Sequence, residues 1–330
     1  IKDNSITNAF RDGLTLRGTG SNMGQSDVLE TFSLYGQESS SSAELQRILI
    51  EFDIDEIIND RNNSLIPESG SVSFFLNLYN ARHSDTLPRD YTLNVLAVSQ
   101  SWEEGIGMDM EDYSDLTYDK LGSNWIRRSG STSWDTIGGD YHASPVYSAT
   151  FSVGNEDLSV DVSGLVEEWI KGAGGGGKEN YGFGVKLPSN LEAYFSSSTG
   201  VNVSSSIHNP GGSTFSYYTK KFFGRGTEFW FKRPKIEARW DSRTKDDRGN
   251  FYASSSLAPA SDNLNTLFLY NFVRGRLTNI PAIGTGEIFV NLYETLGGSA
   301  LTQCIDTPAT GGYVSTGIYS ASFAITGTYA

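Results

Sequence analysis

The chain has 330 residues, enough for two or three domains and more than one sizeable core. Hydrophobic residues make up 38% and aromatic residues 12%, which excludes a disordered composition and can fill real cores. The net charge of −14 excludes nucleic acid as the main partner, no apolar run reaches membrane-spanning length, and the single Cys304 excludes an intrachain disulfide or a thiolate metal site.

The first twenty residues are polar with scattered apolar positions, and Gly18-Thr19-Gly20 marks a turn. Strands are expected at 28–36, 45–54, 70–82 and 90–100. In the third, Val72, Phe74, Leu76 and Leu78 share one face. Residues 55–60 suit one helical turn. Residues 101–145 read as an irregular insertion. The stretch 158–172 starts as a strand and from Ser163 carries a short amphipathic helix with Leu165, Val166 and Trp169 on one side. Strands are expected at 181–187 and 192–198, a second excursion at 199–226, and a closing pair or long edge strand at 227–240. There Pro234 removes a ladder donor and disfavours a central place.

The polar connector 241–250 is the best domain boundary. Up to Asp241 the chain carries 33 acids and 20 bases; beyond it, 6 acids and 5 bases. The stretches 265–277, 286–295 and 319–329 alternate and suit a smaller antiparallel sandwich. The expected fold is therefore all-β: two or more antiparallel β-sandwich domains, jelly-roll or Ig-like, with long loops, one over 1–242 and one over 243–330. Leu49, Phe52, Phe74, Leu76, Val95, Trp169, Phe183 and Ile236 are expected in the first core, and Phe268, Tyr270, Phe289 and Phe323 in the second.

Chemistry-bearing patterns are few. The acidic run holds Glu103, Glu104, Asp109, Glu111, Asp112 and Asp115. Hard carboxylate oxygens in a Gly-containing loop suit calcium, with Asp109, Glu111, Asp112 and Asp115 as the preferred ligands, although the spacing is not that of an EF-hand and a solvated loop is the other reading. Asp53, Asp55, Glu56 and Asp60 read as solvated loop and helix-cap chemistry. His83, His142 and His208 fall in no metalloprotease pattern and no Gly-x-Ser-x-Gly elbow exists, so no catalytic set or required cofactor is expected. Trp102, Trp125, Trp134 and Trp169 line either a sugar platform or the core. The excursion carries Phe215, Tyr217, Tyr218, Phe222 and Phe223, which either tuck onto their own sandwich or anchor a neighbouring subunit; the neighbour is the preferred reading.

Taken in order, the segments Arg47 to Asp53, Trp102 to Gly105, Val162 to Trp169, Asn180 to Gly182 and Arg233 to Ile236 resemble the DNRLRE-type β-sandwich domain, over about residues 4–242. That resemblance implies a module of extracellular and cell-surface proteins, with carbohydrate binding in some members. The chain departs from the family pattern in its long 106–145 segment. Residues 235–259 together with 265–277 resemble virion structural proteins of marine T4-like tailed phages. This implies a non-enzymatic virion part of a head, neck or tail. Its partners would be other structural proteins and further copies of itself. The alternative is an extracellular or cell-surface carbohydrate-binding module.

Overall fold

A computed structural model describes residues 1–11, 16–37, 42–86, 88–108, 122–196, 205–241, 246–293, 295–299 and 309–326. The chain divides into two compact units, Ile1–Asp241 and Ser242–Ala330. Both are antiparallel β structures.

In the first unit a large sheet contains β1 (Lys2–Thr7), β2 (Val28–Tyr35), β3 (Ala43–Glu51), β5 (Tyr91–Val98), β6 (Tyr141–Phe151), β8 (Phe183–Lys186) and β9 (Tyr217–Phe223). Its order is β6-β5-β8-β3-β2-β9, and β1 also pairs with β3. A smaller sheet has the order β10-β4-β7, from β4 (Val72–Leu78), β7 (Leu158–Asp161) and β10 (Lys235–Trp240). Pro234 therefore precedes an edge strand, where its missing N–H costs no ladder bond. Helix α1 spans Asp55–Asn62, and α2, Ser163–Lys171, buries Leu165, Val166 and Trp169.

The two sheets and α2 enclose the main core, which includes Ile48, Ile50, Phe74, Leu76, Val95, Phe183, Val185 and Trp169. Along β3 the side chains alternate between two buried environments. Ile48 and Ile50 face this core, while Leu45 and Leu49 face a second cluster with Trp102, Trp125, Trp134 and Ile137. A strand covered on both faces reads as a continuous apolar run, as "ILIEF" does. The described parts of the 101–145 segment, through Trp102, Trp125, Trp134 and Ile137, thus supply a second core layer over the outer face of the large sheet, and β6 begins at Tyr141. The 199–226 excursion likewise ends in the sheet, because β9 pairs with β2 from Val28↔Phe223 to Leu34↔Tyr217.

The rim where β9 meets the small sheet is closed by polar bonds. Phe223 N–H donates to Tyr79 O (2.9 Å) and Ala81 N–H to Lys221 O (2.9 Å). Lys220, 1% exposed, donates to Asn80 Oδ1 (2.7 Å), Gly154 O (3.0 Å) and Glu156 O (2.6 Å). Burial pulls its ammonium down to about 8.

The second unit is built on a sheet of order β11-β16-β15-β14, from β11 (Asn265–Tyr270), β14 (Ile288–Val290), β15 (Ala309–Ser315) and β16 (Ile318–Phe323). A ribbon pairs β12 (Phe272–Val273) with β13 (Arg276–Leu277). Directly paired residues point to one side, and Phe323 pairs with Asn265 whereas Phe268 pairs with Ser320. Phe323 therefore sits on the buried face with Ala309, Leu267 and Val290, and Phe268 and Tyr270 sit on the opposite face. Tyr270 is 41% and Phe289 64% exposed, so these two expected core residues are surface residues. The outer margin of β11 is bonded by the connector. Asp247 N–H donates to Thr266 O (2.9 Å), and Thr266 N–H donates to Asp247 Oδ2 (2.7 Å). Phe268 N–H donates to Asp246 Oδ2 (3.1 Å), and Arg248 NH2 donates to Phe268 O (2.7 Å).

Candidate functional site

The five rings expected at an interface divide between core and surface. Tyr218 and Phe222 alternate inward on β9, are buried, and belong to the main core, so they cannot anchor a neighbour. Phe215 is 88% and Tyr217 48% exposed, and Phe223 is half-buried.

Phe223 leads to a feature that the strand expectation over 227–240 hid. After Thr227 the chain makes a single 3-10 turn, Trp230–Lys232, and Pro234 then starts β10. The turn breaks period-2 alternation, so Phe229, Trp230 and Phe231 all face outward, 42%, 76% and 55% exposed. They pack on one another: the ring centroids are 5.8 Å apart for Phe223–Phe229, 6.2 Å for Phe229–Phe231 and 6.1 Å for Trp230–Phe231. The Lys232 ammonium lies 4.7 Å from the centre of the Phe223 ring, a cation–π geometry. Arg233 beside it is exposed and donates to Thr227 O. Among the described residues neither cation has a carboxylate partner. The result is a cationic aromatic ridge.

A cleft of about 560 Å³ lies where the end of β3 and the start of α1 meet the end of α2. Ile54, Ile58 and Trp169 form its apolar lining. Its acids are Glu51, Asp53, Asp55 and Glu179, and Ile1, Lys2 and Lys178 line it as well, so its charge is mixed. Glu51 is matched by Lys2 at 2.9 Å, and burial raises its carboxyl above the usual range. Asp53 Oδ1 accepts the Asp55 N–H (3.0 Å), but the N-cap of α1 is Ile54 and no side chain caps the helix. Asp53, Asp55 and Glu179 are exposed and form no ion pair among the described residues.

A polar cleft of about 540 Å³ opens on the outer face of the large sheet. Within it Arg47 and Glu192, side chains 5% exposed each, pair through both carboxylate oxygens (3.0 and 2.9 Å). Arg47 also donates to Gly138 O (2.8 Å) and stacks 5.3 Å from Trp125. Lys186 Nζ stands 3.6 Å from Glu192, and burial together with the Arg47 charge lowers it to about 8. Burial pushes the Tyr141 hydroxyl up to about 12. The Tyr141 ring occupies the space that a side chain at residue 184 would need, so only glycine fits at Gly184. With both carboxylate oxygens engaged, this cluster is a core polar network rather than an acid–base pair.

The preferred calcium ligands Asp109, Glu111, Asp112 and Asp115 lie outside the described residues, as does Cys304. Glu104 is described and is already engaged, accepting from Arg225 NH2 (2.7 Å) and from the Asp3 backbone N–H (2.8 Å); Glu103 accepts from Gly130 N–H (3.1 Å). Among the described residues no group of three or more potential ligands gathers. A platform of Trp102, Trp125, Trp134 and Trp169 does not form, since each is at most 4% exposed and all four are core residues. His83, His142 and His208 lie apart, in an irregular stretch after β4, on β6 and beside the polar cleft.

No protein-family model matches the chain, and no curated protein matches it. Its function must be read from its own surfaces. Among the described residues no helix is long and apolar enough to cross a membrane.

Proposed function

We propose that the chain is a non-enzymatic structural component of a larger protein assembly, a head decoration, neck or tail part of a tailed-phage virion. It works through face-to-face contacts with other structural proteins and with further copies of itself. The observation that carries the reading is the ridge of Phe229, Trp230 and Phe231, three neighbouring rings held out of the core by a 3-10 turn. Aromatic anchors of this kind dominate interface energetics, and contiguous exposed apolar patches mark interaction surfaces. The second unit adds Phe268, Tyr270 and Phe289, which lie on the sheet face opposite its buried one. The finer assignment to a virion rests on the likeness of residues 235–259 and 265–277 to phage structural proteins. Burial of four tryptophans weighs against the carbohydrate-binding alternative. Peptide mass spectrometry of purified virions, paired with a glycan array on the isolated protein, tests the proposal. Presence in virions without glycan binding is expected; absence from virions with specific glycan binding would replace it.

A further inference from the structure

A lysine and a carboxamide meet in the buried rim between the two sheets of the first unit. Lys220 lies on β9, and Asn80 lies two residues beyond the end of β4. The Lys220 Nζ is 2.7 Å from Asn80 Oδ1 and is flanked by the buried rings of Phe151 and Phe222, whose centres are 4.7 and 5.2 Å away. Asn80 is held in place from both sides. Its backbone bridges to Phe222, its N–H donates to Asp157 Oδ1 (2.7 Å), and its neighbours Tyr79 and Ala81 are bonded to Phe223 and Lys221. The carboxylates whose charge acts on Lys220 are Glu156 and Asp157. The first is taken up by the N–H groups of Ser152, Val153 and Gly154, and the second by Asn80. Among the described residues Lys220 therefore has no ion-pair partner, and its ammonium is brought down to about 8 by burial. Near neutral pH a share of the molecules carries the free amine, which is the nucleophilic form.

We propose that Lys220 and Asn80 join through a side-chain amide, a covalent bond that fastens β9 of the large sheet to the chain leaving β4 of the small one. A C=O bond is about 1.2 Å long, so an amine at hydrogen-bond distance from Oδ1 lies within about 4 Å of Cγ, close to the separation of a near-attack pair. The other two partners of Lys220 set its direction. A neutral amine has two N–H groups, which Gly154 O (3.0 Å) and Glu156 O (2.6 Å) accept, and this leaves the lone pair toward Asn80. Nζ attacks Cγ and the carbonyl electron pair moves onto Oδ1. When the C=O bond reforms, the Cγ–Nδ2 bond breaks. Nζ gives up one proton, Nδ2 gains it, and ammonia leaves. The step needs no oxidant and no further reactant. Phe151 and Phe222 shield the amine from the water that would otherwise solvate and protonate it. The bond would close a long loop of chain, which removes freedom from the unfolded state as a disulfide would. With Cys304 its only cysteine, this chain has no intrachain disulfide to do so. The bond is independent of the assembly role proposed above.

Mass spectrometry of the full chain tests the bond directly. The folded protein is incubated above pH 8, where the free amine predominates, and then denatured for measurement. Its intact mass should be lower than that of its sequence by one ammonia. A succinimide formed at an asparagine loses the same mass, so the digest decides between the two. Trypsin should no longer cut after Lys220, and one branched peptide should carry Asn80 joined to Lys220. Asn80→Ala removes the carbonyl and leaves Lys220 its two backbone acceptors, and Lys220→Met removes the nucleophile. Neither variant should yield a branched peptide. The wild-type result stands whether or not the variants fold. A wild type that keeps the full mass of its sequence would overturn the proposal, and so would a digest that returns the Asn80 and Lys220 peptides unlinked.

Discussion

Asp3 on β1 offers the sharpest energetic test of the first unit. Its side chain is fully buried; Oδ2 accepts the Arg225 backbone N–H at 2.6 Å, and Oδ1 has no hydrogen-bond partner, standing 3.8 Å from Arg225 Nε. Burial, opposed by the Arg225 N–H and reinforced by the Glu104 charge, raises the carboxyl from 3.8 to about 6. Between these values the folded chain holds a proton that the unfolded chain has released, so the stabilisation is complete below pH 3.8 and is lost as pH rises through 6. The ionised form is then disfavoured in the fold by about 3 kcal/mol. Asp3→Asn keeps an oxygen for the Arg225 N–H and places a neutral donor beside Glu104. It should match wild type near pH 4 and be more stable by about 3 kcal/mol at pH 8. Urea unfolding followed by tryptophan fluorescence reads this unit alone, because all six tryptophans precede Asp241. A difference that stays flat from pH 4 to 8, or a variant less stable at pH 8, would refute the reasoning.

Three further outcomes are expected. Glu192→Gln strips the buried Arg47 and the neighbouring Lys186 of their carboxylate and should cost about 3–5 kcal/mol in the same urea assay. Lys220→Met leaves Asn80 Oδ1 and two carbonyl oxygens without a donor where β9 meets the small sheet; a loss of about 2–4 kcal/mol is expected, with earlier amide exchange at Ala81 and Phe223. Trp169→Ala should cost about 3–5 kcal/mol, since the ring packs 4.7 Å from Phe183 inside the main core.

Much of the first core was legible because its strands follow simple rules. The run around Leu49 reads as a buried strand, and α2 shows its apolar side at Leu165, Val166 and Trp169. Strand β1 was not legible. Asp3, Asn4, Ser5 and Thr7 are fully buried by hydrogen bonding, with Asn4 Nδ2 donating to Ser123 O (2.8 Å) and Thr7 Oγ1 to Leu45 O (2.9 Å). Hydrophobic periodicity is blind to such a strand. Alternation in the second unit was visible, but Phe268, Tyr270 and Phe289 share the outward face, while Leu267, Val290, Tyr319 and Phe323 lie on the inner one. Aromatic content marks β structure without saying which face is wet. The ridge was hidden for a related reason: its residues have the composition of a strand, and only Thr227 and Pro234 at its ends hint at the turn between them. Asp53 and Asp55 read correctly as solvated, but that they border one concavity depends on the distant Trp169 and Glu179.

The bonds from Asp246, Asp247 and Arg248 to Thr266 and Phe268 matter most when many copies are crowded together. An unoccupied strand margin is a template on which another chain can lay its own backbone, and repeated addition ends in an open-ended fibre. Here the connector occupies that margin with two carboxylates and a guanidinium, which a competing strand would have to displace together. Replacing 246–248 with a neutral flexible linker would preserve the reach between the units while removing the guard. Copies held at high concentration would then be free to grow through this margin.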